Sequence, residues 1–161
     1  MRPCTARSAV LVPLIAIATA SPAHAGAYFL GLSSVEPGVE AYQAYAVSYD
    51  GSVIAGIAGK DGTNFAYVLR DGHFTDLGPA PGGGGLRPRA ISADGSAVVG
   101  YRAHASGSEG FRWTATTGTV GLGNWSTAAE AVSADGIVVA GTGIGGAYRW
   151  TSASGPTGLG A

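Results

Sequence analysis

The sequence is almost free of cysteine. Its only cysteine, Cys4, lies in an N-terminal segment that we expect to be removed, which leaves a chain without thiols. Such a chain forms no disulfide, so its stability must come from burial and backbone pairing. Cys4 also lacks the small residues that precede a lipoprotein cleavage site, which argues against a lipid anchor at this position.

Clustered charge is also missing. Charged residues make up 12% of the chain, and beyond residue 25 seven basic side chains are scattered among ten acidic ones. Binding to nucleic acid or to an anionic membrane depends on grouped lysines and arginines that displace counterions. The sequence therefore disfavours a nucleic-acid partner.

No apolar run is long enough to cross a bilayer, whose hydrocarbon core is about 30 Å thick. The run Val10–Ala20 is short and contains a proline. Two arginines precede it and Ala23-His24-Ala25 follows it, a pattern typical of a secretory signal peptide over residues 1–25. We predict a secreted or cell-surface protein with a β-repeat domain over 26–161 and no stable membrane span after cleavage.

Signatures of catalysis and of metal binding are absent from the sequence. It contains no HExxH, CxxC or GxSxG motif, and His73 and His104 do not occupy repeated positions. The glycine run 82–85 lacks the Lys-Ser/Thr of a phosphate loop and is typical of a flexible connector. We expect no catalytic residue, no metal and no cofactor, although a Ser-His-Asp triad assembled from distant residues stays open.

Three ordered blocks recur three times along the chain. The first, Ala-x-Ser-x-Asp-Gly followed by an apolar run and glycine, occupies 46–56, 90–100 and 131–141. An aromatic block follows at 66–72, 110–114 and 147–151, and a block ending in Leu-Gly at 74–78, 120–123 and 157–160. A repeat of this length is typical of arrays of small β units.

Each repeat reads as four short strands. The residues before Asp-Gly form the first, and the apolar run, such as Val53–Ala55, forms a second that is covered on both faces. The aromatic block forms the third, and the last strand ends in Leu-Gly. We predict an all-β fold of repeated four-stranded antiparallel units, β-propeller-like blades, with a β-solenoid as the alternative.

The third strand predicts which of its side chains are buried. Strand side chains alternate, so Phe111 shares a face with Trp113, and Tyr148 with Trp150. The intervening Arg112 and Arg149 then point the other way. We expect the tryptophans in the core and the arginines on the outer surface.

The Asp-Gly pairs are the most regular polar feature. Calcium binding would need six to eight oxygens, and each pair offers one carboxylate. A hairpin turn, with glycine at positive φ and the preceding serine (48, 92 or 133) as its cap, is the better interpretation. The predicted structural turn positions are Asp50, Gly51, Asp94, Gly95, Asp135 and Gly136.

The repeated motif resembles the HAF family of bacterial extracellular repeats, which also occurs in autotransporter passengers. The resemblance rests on Ala-x-x-Val/Ile-Ser-x-Asp-Gly, aromatic-Arg-Trp-Thr and Leu-Gly, and it covers about residues 44–160. Tyr67-Val68-Leu69 departs from aromatic-Arg-Trp, so the first repeat is the most diverged. The resemblance implies an extracellular location and no defined activity or catalytic residues.

The array is expected to be open or incomplete. Repeats at about 44–87, 88–128 and 129–161 follow a lone strand predicted near 27–32, whereas closed propellers have about 4–8 blades. The open sheet edges predict self-association. A truncated longer array is the favoured explanation, with closure by oligomerisation and an open arc as alternatives.

Three functions fit these features. The first is a non-enzymatic secreted repeat protein with a structural or adhesive role at the cell surface, whose partner would be an unknown surface protein or glycan. A carbohydrate- or protein-binding module would require a patch of exposed aromatic residues. A propeller-type hydrolase would require convergent His, Asp or Glu side chains in a pocket.

Overall fold

The computed structural model describes residues 31–32, 36–79, 84–104, 107–123 and 126–160, with the backbone alone at residues 104 and 126. The predicted signal peptide lies outside the described residues. So does the predicted lone strand near 27–32, except for Gly31 and Leu32, which are not part of a strand.

Twelve strands form three four-stranded antiparallel sheets, each paired in chain order. The first sheet contains β1 (Glu40–Val47), β2 (Val53–Lys60), β3 (Thr63–Arg70) and β4 (His73–Asp76). The second contains β5 (Leu86–Ile91), β6 (Ala97–His104), β7 (Gly107–Thr114) and β8 (Gly118–Gly121). The third contains β9 (Ser126–Val132), β10 (Val139–Gly143), β11 (Gly146–Thr151) and β12 (Gly155–Gly158).

The predicted fold class is confirmed: the described chain is an open array of repeated four-stranded antiparallel units. The predicted repeat boundaries at 87/88 and 128/129 fall inside β5 and β9, because pairing with the second strand of each sheet begins before the recurring motif. Likewise β1 begins at Glu40, four residues before the predicted start of the first repeat at 44.

Two Asp-Gly pairs form the turns that join β2 to β3 and β3 to β4 in the first sheet. Asp61 and Gly62 have φ of 51° and 76°, and Asp71 and Gly72 have φ of 51° and 77°. A two-residue hairpin turn with positive φ at both positions matches the twist of the strands it joins, and Asp-Gly adopts that conformation at little cost. These short turns explain why β2, β3 and β4 follow one another so closely.

A glycine in the second strand of each sheet lets the first strand approach. A Cβ at Gly56 or Gly100 would lie 2.0 Å from a carbonyl oxygen of the first strand, and one at Gly141 would lie 2.1 Å from it. The first strand is bulged near this point in all three sheets. Any larger residue would push the two strands apart.

The core lies between consecutive sheets. We call the side of a sheet that meets the next sheet its forward face, and the opposite side its back face. The forward face of the first sheet packs Ala55 and Val68 against Val98, Phe111 and Trp113 on the back face of the second. The second sheet repeats the contact with the third through the cluster Val99, Leu122, Ala129, Val139, Tyr148 and Trp150.

The leucine of each Leu-Gly pair does not belong to the fourth strand, contrary to the sequence prediction. The strands β4 and β8 end at Asp76 and Gly121, and Leu77 and Leu122 follow them with exposures of 2% and 1%. Both leucines pack into the clusters between sheets. These leucines therefore lie just beyond the fourth strand, where their side chains are buried between two sheets.

The two ends of the array differ. On the back face of the first sheet, Tyr67 and Leu69 are buried beneath Leu32, Val39 and Phe74. Among the described residues, none covers the forward face of the third sheet in this way. Its exposed Ala140, Ala147 and Arg149, with half-buried Val138, make up what we call the open forward face.

Candidate functional site

The Ser-x-Asp-Gly segment of the second sheet forms a self-contained hydrogen-bonded turn. The Ser92 hydroxyl donates to Asp94 Oδ1 at 2.6 Å and accepts the backbone N–H of Ala97 at 2.9 Å. Asp94 Oδ1 also accepts the backbone N–H of Ser96 at 2.9 Å, and Gly95 has a φ of 70°. The equivalent bonds in the other two sheets involve Ser48, Asp50, Ser52, Val53, Ser133, Asp135, Ile137 and Val138.

These bonds make the three carboxyl groups more acidic. The hydroxyl of the serine two residues earlier, followed by a backbone N–H, lowers the pKa of Asp50 and of Asp94 from 3.8 to about 2. The equivalent donors of the third turn, the Ser133 hydroxyl and the Ile137 N–H, lower the pKa of Asp135. Donors that favour the charged form have this effect, so each carboxylate is ionised and engaged by its own turn at neutral pH.

The three turns are also joined to one another. The backbone N–H of Tyr49 donates to the Ala93 carbonyl at 3.1 Å, and the N–H of Ala93 donates to the Ala134 carbonyl at 3.1 Å. We call the linked residues 48–51, 92–95 and 133–136 the turn ladder. It runs from the first sheet to the third.

Arginine side chains add a second link between sheets. Arg70 Nη2 donates to the Gly95 carbonyl at 3.0 Å, and Arg112 Nε donates to the Gly136 carbonyl at 2.8 Å. The prediction that Arg112 lies on the outer surface is therefore wrong, because the third sheet packs over it. Arg149 is exposed, as expected, and Trp113 and Trp150 are buried.

The glycines of the ladder lie against the preceding sheet. A Cβ on Gly95 would lie 2.6 Å from Val53 Cγ2, and one on Gly136 would lie 2.8 Å from the Cβ of Ala97. The space beside Gly51 is open. Gly95 and Gly136 thus serve the turn through their positive φ and the packing through their small size.

An ion pair that the sequence analysis missed lies on the back face of the second sheet. Arg102 Nη2 contacts Glu109 Oε2, and both side chains are 13% exposed. Glu109 Oε1 also accepts the backbone N–H of Gly123 at 3.2 Å. Arg102 and Glu109 face each other across β6 and β7, so only the pairing register could have predicted the contact.

The two histidines lie on strands of different sheets. His73 is the exposed first residue of β4. His104 is the last residue of β6. Across the described ranges, no three His, Cys, Asp or Glu side chains come together in a metal-binding arrangement.

The first strand and the turn that follows it expose three tyrosines that the sequence analysis did not single out. Tyr42, Tyr45 and Tyr49 are 54%, 38% and 94% exposed. The first two lie at the register shifts of β1, where a bulge leaves a residue without a partner on β2. Their close spacing was the available signal, but they do not recur in the other repeats.

Charged side chains occupy the neighbouring first strands. Arg89 on β5 and Glu130 on β9 hold the position that Tyr45 holds on β1, and Arg89 Nε lies 3.9 Å from Glu130 Oε2. The Arg89 guanidinium also lies over the Tyr101 ring, 5.3 Å from its centre. We call Tyr42, Tyr45, Tyr49, Arg89 and Glu130 the first-strand surface.

Within the described residues, no helix has the length and hydropathy that crossing a bilayer requires.

Comparison with known proteins gives structural likeness alone. No family model matches the chain, and no curated protein sequence matches it. TolB from Acinetobacter baumannii is similar at 15% identity and a TM-score of 0.47, over 71% of this chain and 31% of that one. Putative TolB from Agrobacterium tumefaciens is similar at 13% identity and a TM-score of 0.48, over 75% of this chain and 49% of that one.

The chain thus matches less than half the length of either TolB structure. The three sheets described above define its class independently: an open, propeller-like array of four-stranded antiparallel units.

Proposed function

We propose that this protein is a non-enzymatic repeat scaffold with a structural or adhesive role at the cell surface. The observation that carries the proposal is the use of its recurring polar residues. The serines and aspartates common to all three repeats are engaged in holding the turn ladder. The surface location rests on the predicted signal peptide and on the resemblance to extracellular repeats.

A second candidate is a binding module for a surface protein or glycan. The exposed tyrosines of the first-strand surface favour it, because tyrosine combines a flat apolar ring with a hydroxyl and is enriched at recognition surfaces. Arg89 and Glu130 add polar partners beside the rings. This surface is the part of the chain to test for a ligand.

Adhesion is tested in the producing bacterium. We expect deletion of the gene to lower attachment of the cells to an abiotic surface and to one another, and the wild-type gene to restore it. Unchanged attachment after deletion, or a protein found only in the cytosol, would contradict the adhesive role. Turnover of ester, glycoside or phosphate model substrates by the purified protein would contradict the non-enzymatic assignment.

The binding module is tested with variants of the first-strand surface in the same complementation assay. Tyr45→Ala combined with Tyr49→Ala should fail to restore attachment if the tyrosines contact the partner. Val120→Ala is the control, because Val120 is 42% exposed on β8, the outer strand of its sheet. If the tyrosine variant restores attachment fully, this surface is not the binding site.

A further inference from the structure

We propose that the open forward face of the third sheet binds the back face of the first sheet in a second copy of this chain, so that two chains close a ring of six sheets. The inference concerns how the scaffold is completed, and it does not depend on the proposed function.

The contact that the proposal invokes already occurs twice in the molecule. The forward face of the first sheet meets the back face of the second, and the forward face of the second meets the back face of the third. In both places a backbone N–H and an arginine of one sheet donate to carbonyl oxygens in the turn of the next. A third instance needs a free forward face and a free back-face turn, and within the described residues the third sheet and the first sheet supply them.

The third sheet presents the donor half of this contact. Its Ala134 N–H and its Arg149 side chain correspond to the groups that donate from the second sheet, and within the described residues neither has a hydrogen-bond acceptor. Leu159 corresponds to Leu77 and Leu122, which are buried between sheets, yet it is 61% exposed. The groups needed for a next sheet are in place and uncovered.

The first sheet presents the acceptor half. The carbonyl oxygens of Tyr49 and Gly51 correspond to the two acceptors in each later turn, and across the described ranges they accept no hydrogen bond. Val47 is 57% exposed, whereas its counterparts Ile91 and Val132 pack into the clusters between sheets. Within the described residues, the third sheet therefore presents unpaired donors and the first sheet presents the acceptors that correspond to them.

The cover on the back face of the first sheet does not block this contact. Leu32 and Val39 pack in one cluster with Tyr67 and Leu69, whereas Val47 is not part of that cluster and is 57% exposed. The back face of the second sheet is lined in the same way by leucines from outside its central strands, and it still packs against the first sheet. Additional apolar side chains at this position are compatible with sheet packing.

The number of sheets selects two chains. A head-to-tail contact forms a ring when its rotation closes and a filament when it does not. Closed propellers have about 4–8 blades. The described residues provide three sheets, so two copies of them supply six and three copies supply nine, and a ring of two copies is the assembly within that range.

The test is the molar mass of the purified protein, processed as the cell leaves it, by light scattering and sedimentation over a range of concentrations. We expect a dimer. Arg149→Glu on the open forward face and Val47→Asp on the back face should each weaken it. Losing one such contact costs about tenfold in affinity, and a ring contains two, so each variant should raise the dissociation constant by about a hundredfold.

Arg87→Glu is the matched control, because Arg87 is exposed on β5 and has no ion pair or hydrogen bond through its side chain in the described residues. It should dimerise as the wild type does. Both test residues are exposed within one chain, so circular dichroism should show the wild-type β signal in every variant.

The response to each substitution separates this arrangement from others. A dimer in which two forward faces meet would be weakened by Arg149→Glu alone, and a dimer in which two back faces meet would be weakened by Val47→Asp alone. We expect both substitutions to weaken the dimer to a similar degree. A wild-type monomer at every concentration, or a dimer indifferent to either substitution, would overturn the proposal.

Discussion

At the scale of the residue, Ser92 links the turn to the second strand. It is fully buried, and its hydroxyl bonds both the Asp94 carboxylate and the Ala97 N–H. We predict that Ser92→Ala lowers the free energy of unfolding by about 1–3 kcal/mol, because it leaves a buried backbone donor without an acceptor. Urea unfolding measures the change.

Ser108→Ala is the control for that substitution, because Ser108 is exposed on β7. A surface change of this kind is expected to stay within about 0.5 kcal/mol of the wild type. Equal losses in the two variants would show that the Ser92 hydroxyl contributes nothing specific.

The aspartates of the ladder predict an acid-sensitive fold. In the folded chain the pKa of Asp94 is about 2, below its ordinary value of 3.8. The stability that this group contributes is complete above about pH 4 and is lost as the pH falls toward 2, since protonation then favours the unfolded chain. We expect Asp94→Asn, which cannot titrate, to flatten the fall in unfolding free energy between those values.

Urea titrations at several pH values check this prediction. Asp61→Asn is the control, because the exposed Asp61 side chain makes no hydrogen bond in the described part of the chain. The prediction fails if Asp94→Asn loses stability on acidification as steeply as the wild type.

The structural residues that could be predicted from the sequence are those that recur in every repeat. Asp50, Asp94 and Asp135 were singled out because the same residue returns in every repeat. Tyr42 and Tyr45 were missed because they occur once, and because their exposure depends on bulges in β1 that no sequence motif indicates.

At the scale of the element, the glycines of the turn ladder separate two effects of an added Cβ. One is backbone strain at positive φ, and the other is a clash with the neighbouring sheet. Gly51 and Gly136 have φ of 76° and 72°, so alanine is strained at both. Only at Gly136 would the added Cβ meet the neighbouring sheet, 2.8 Å from the Cβ of Ala97.

We predict that Gly51→Ala costs about 1–2 kcal/mol, the price of a left-handed residue with a Cβ. Gly136→Ala should cost about 1–3 kcal/mol more, because it also overpacks the contact between sheets. Chemical unfolding of the two variants gives the difference directly. Equal costs would mean that the third sheet moves away freely from the second.

The strands themselves could be predicted, but what covers them could not. Alternation along β7 correctly placed Phe111 and Trp113 on one buried face. The same alternation correctly placed Arg112 on the opposite face. The sequence predicts that this face is exposed to solvent, but the third sheet covers it. The alternation of side chains along a strand predicts which face of the sheet a residue lies on. What packs against that face depends on the tertiary structure.

At the scale of the whole molecule, the sheets should differ in local stability. The second sheet is packed on both sides, and Val98 and Val99 on β6 are completely buried. In the third sheet Val139 is buried but the adjacent Ala140 is exposed. In an array whose units contact only their neighbours, units with one neighbour open first.

We therefore predict that in the Arg149→Glu variant, at concentrations where it is a monomer, the amides of β6 exchange with solvent more slowly than those of β10 under native conditions. Hydrogen exchange followed by mass spectrometry or by nuclear magnetic resonance resolves the two strands. Identical rates would show instead that the described chain opens as one cooperative unit.

The acceptor in the contact between sheets also bears on how such a protein can change over generations. Arg70 and Arg112 donate to the carbonyl oxygens of Gly95 and Gly136, which belong to the backbone. A duplicated repeat therefore arrives with its acceptor already present, provided that its turn keeps the glycine. Genes encoding this design can gain or lose a repeat in one step, without a matching mutation in the neighbour.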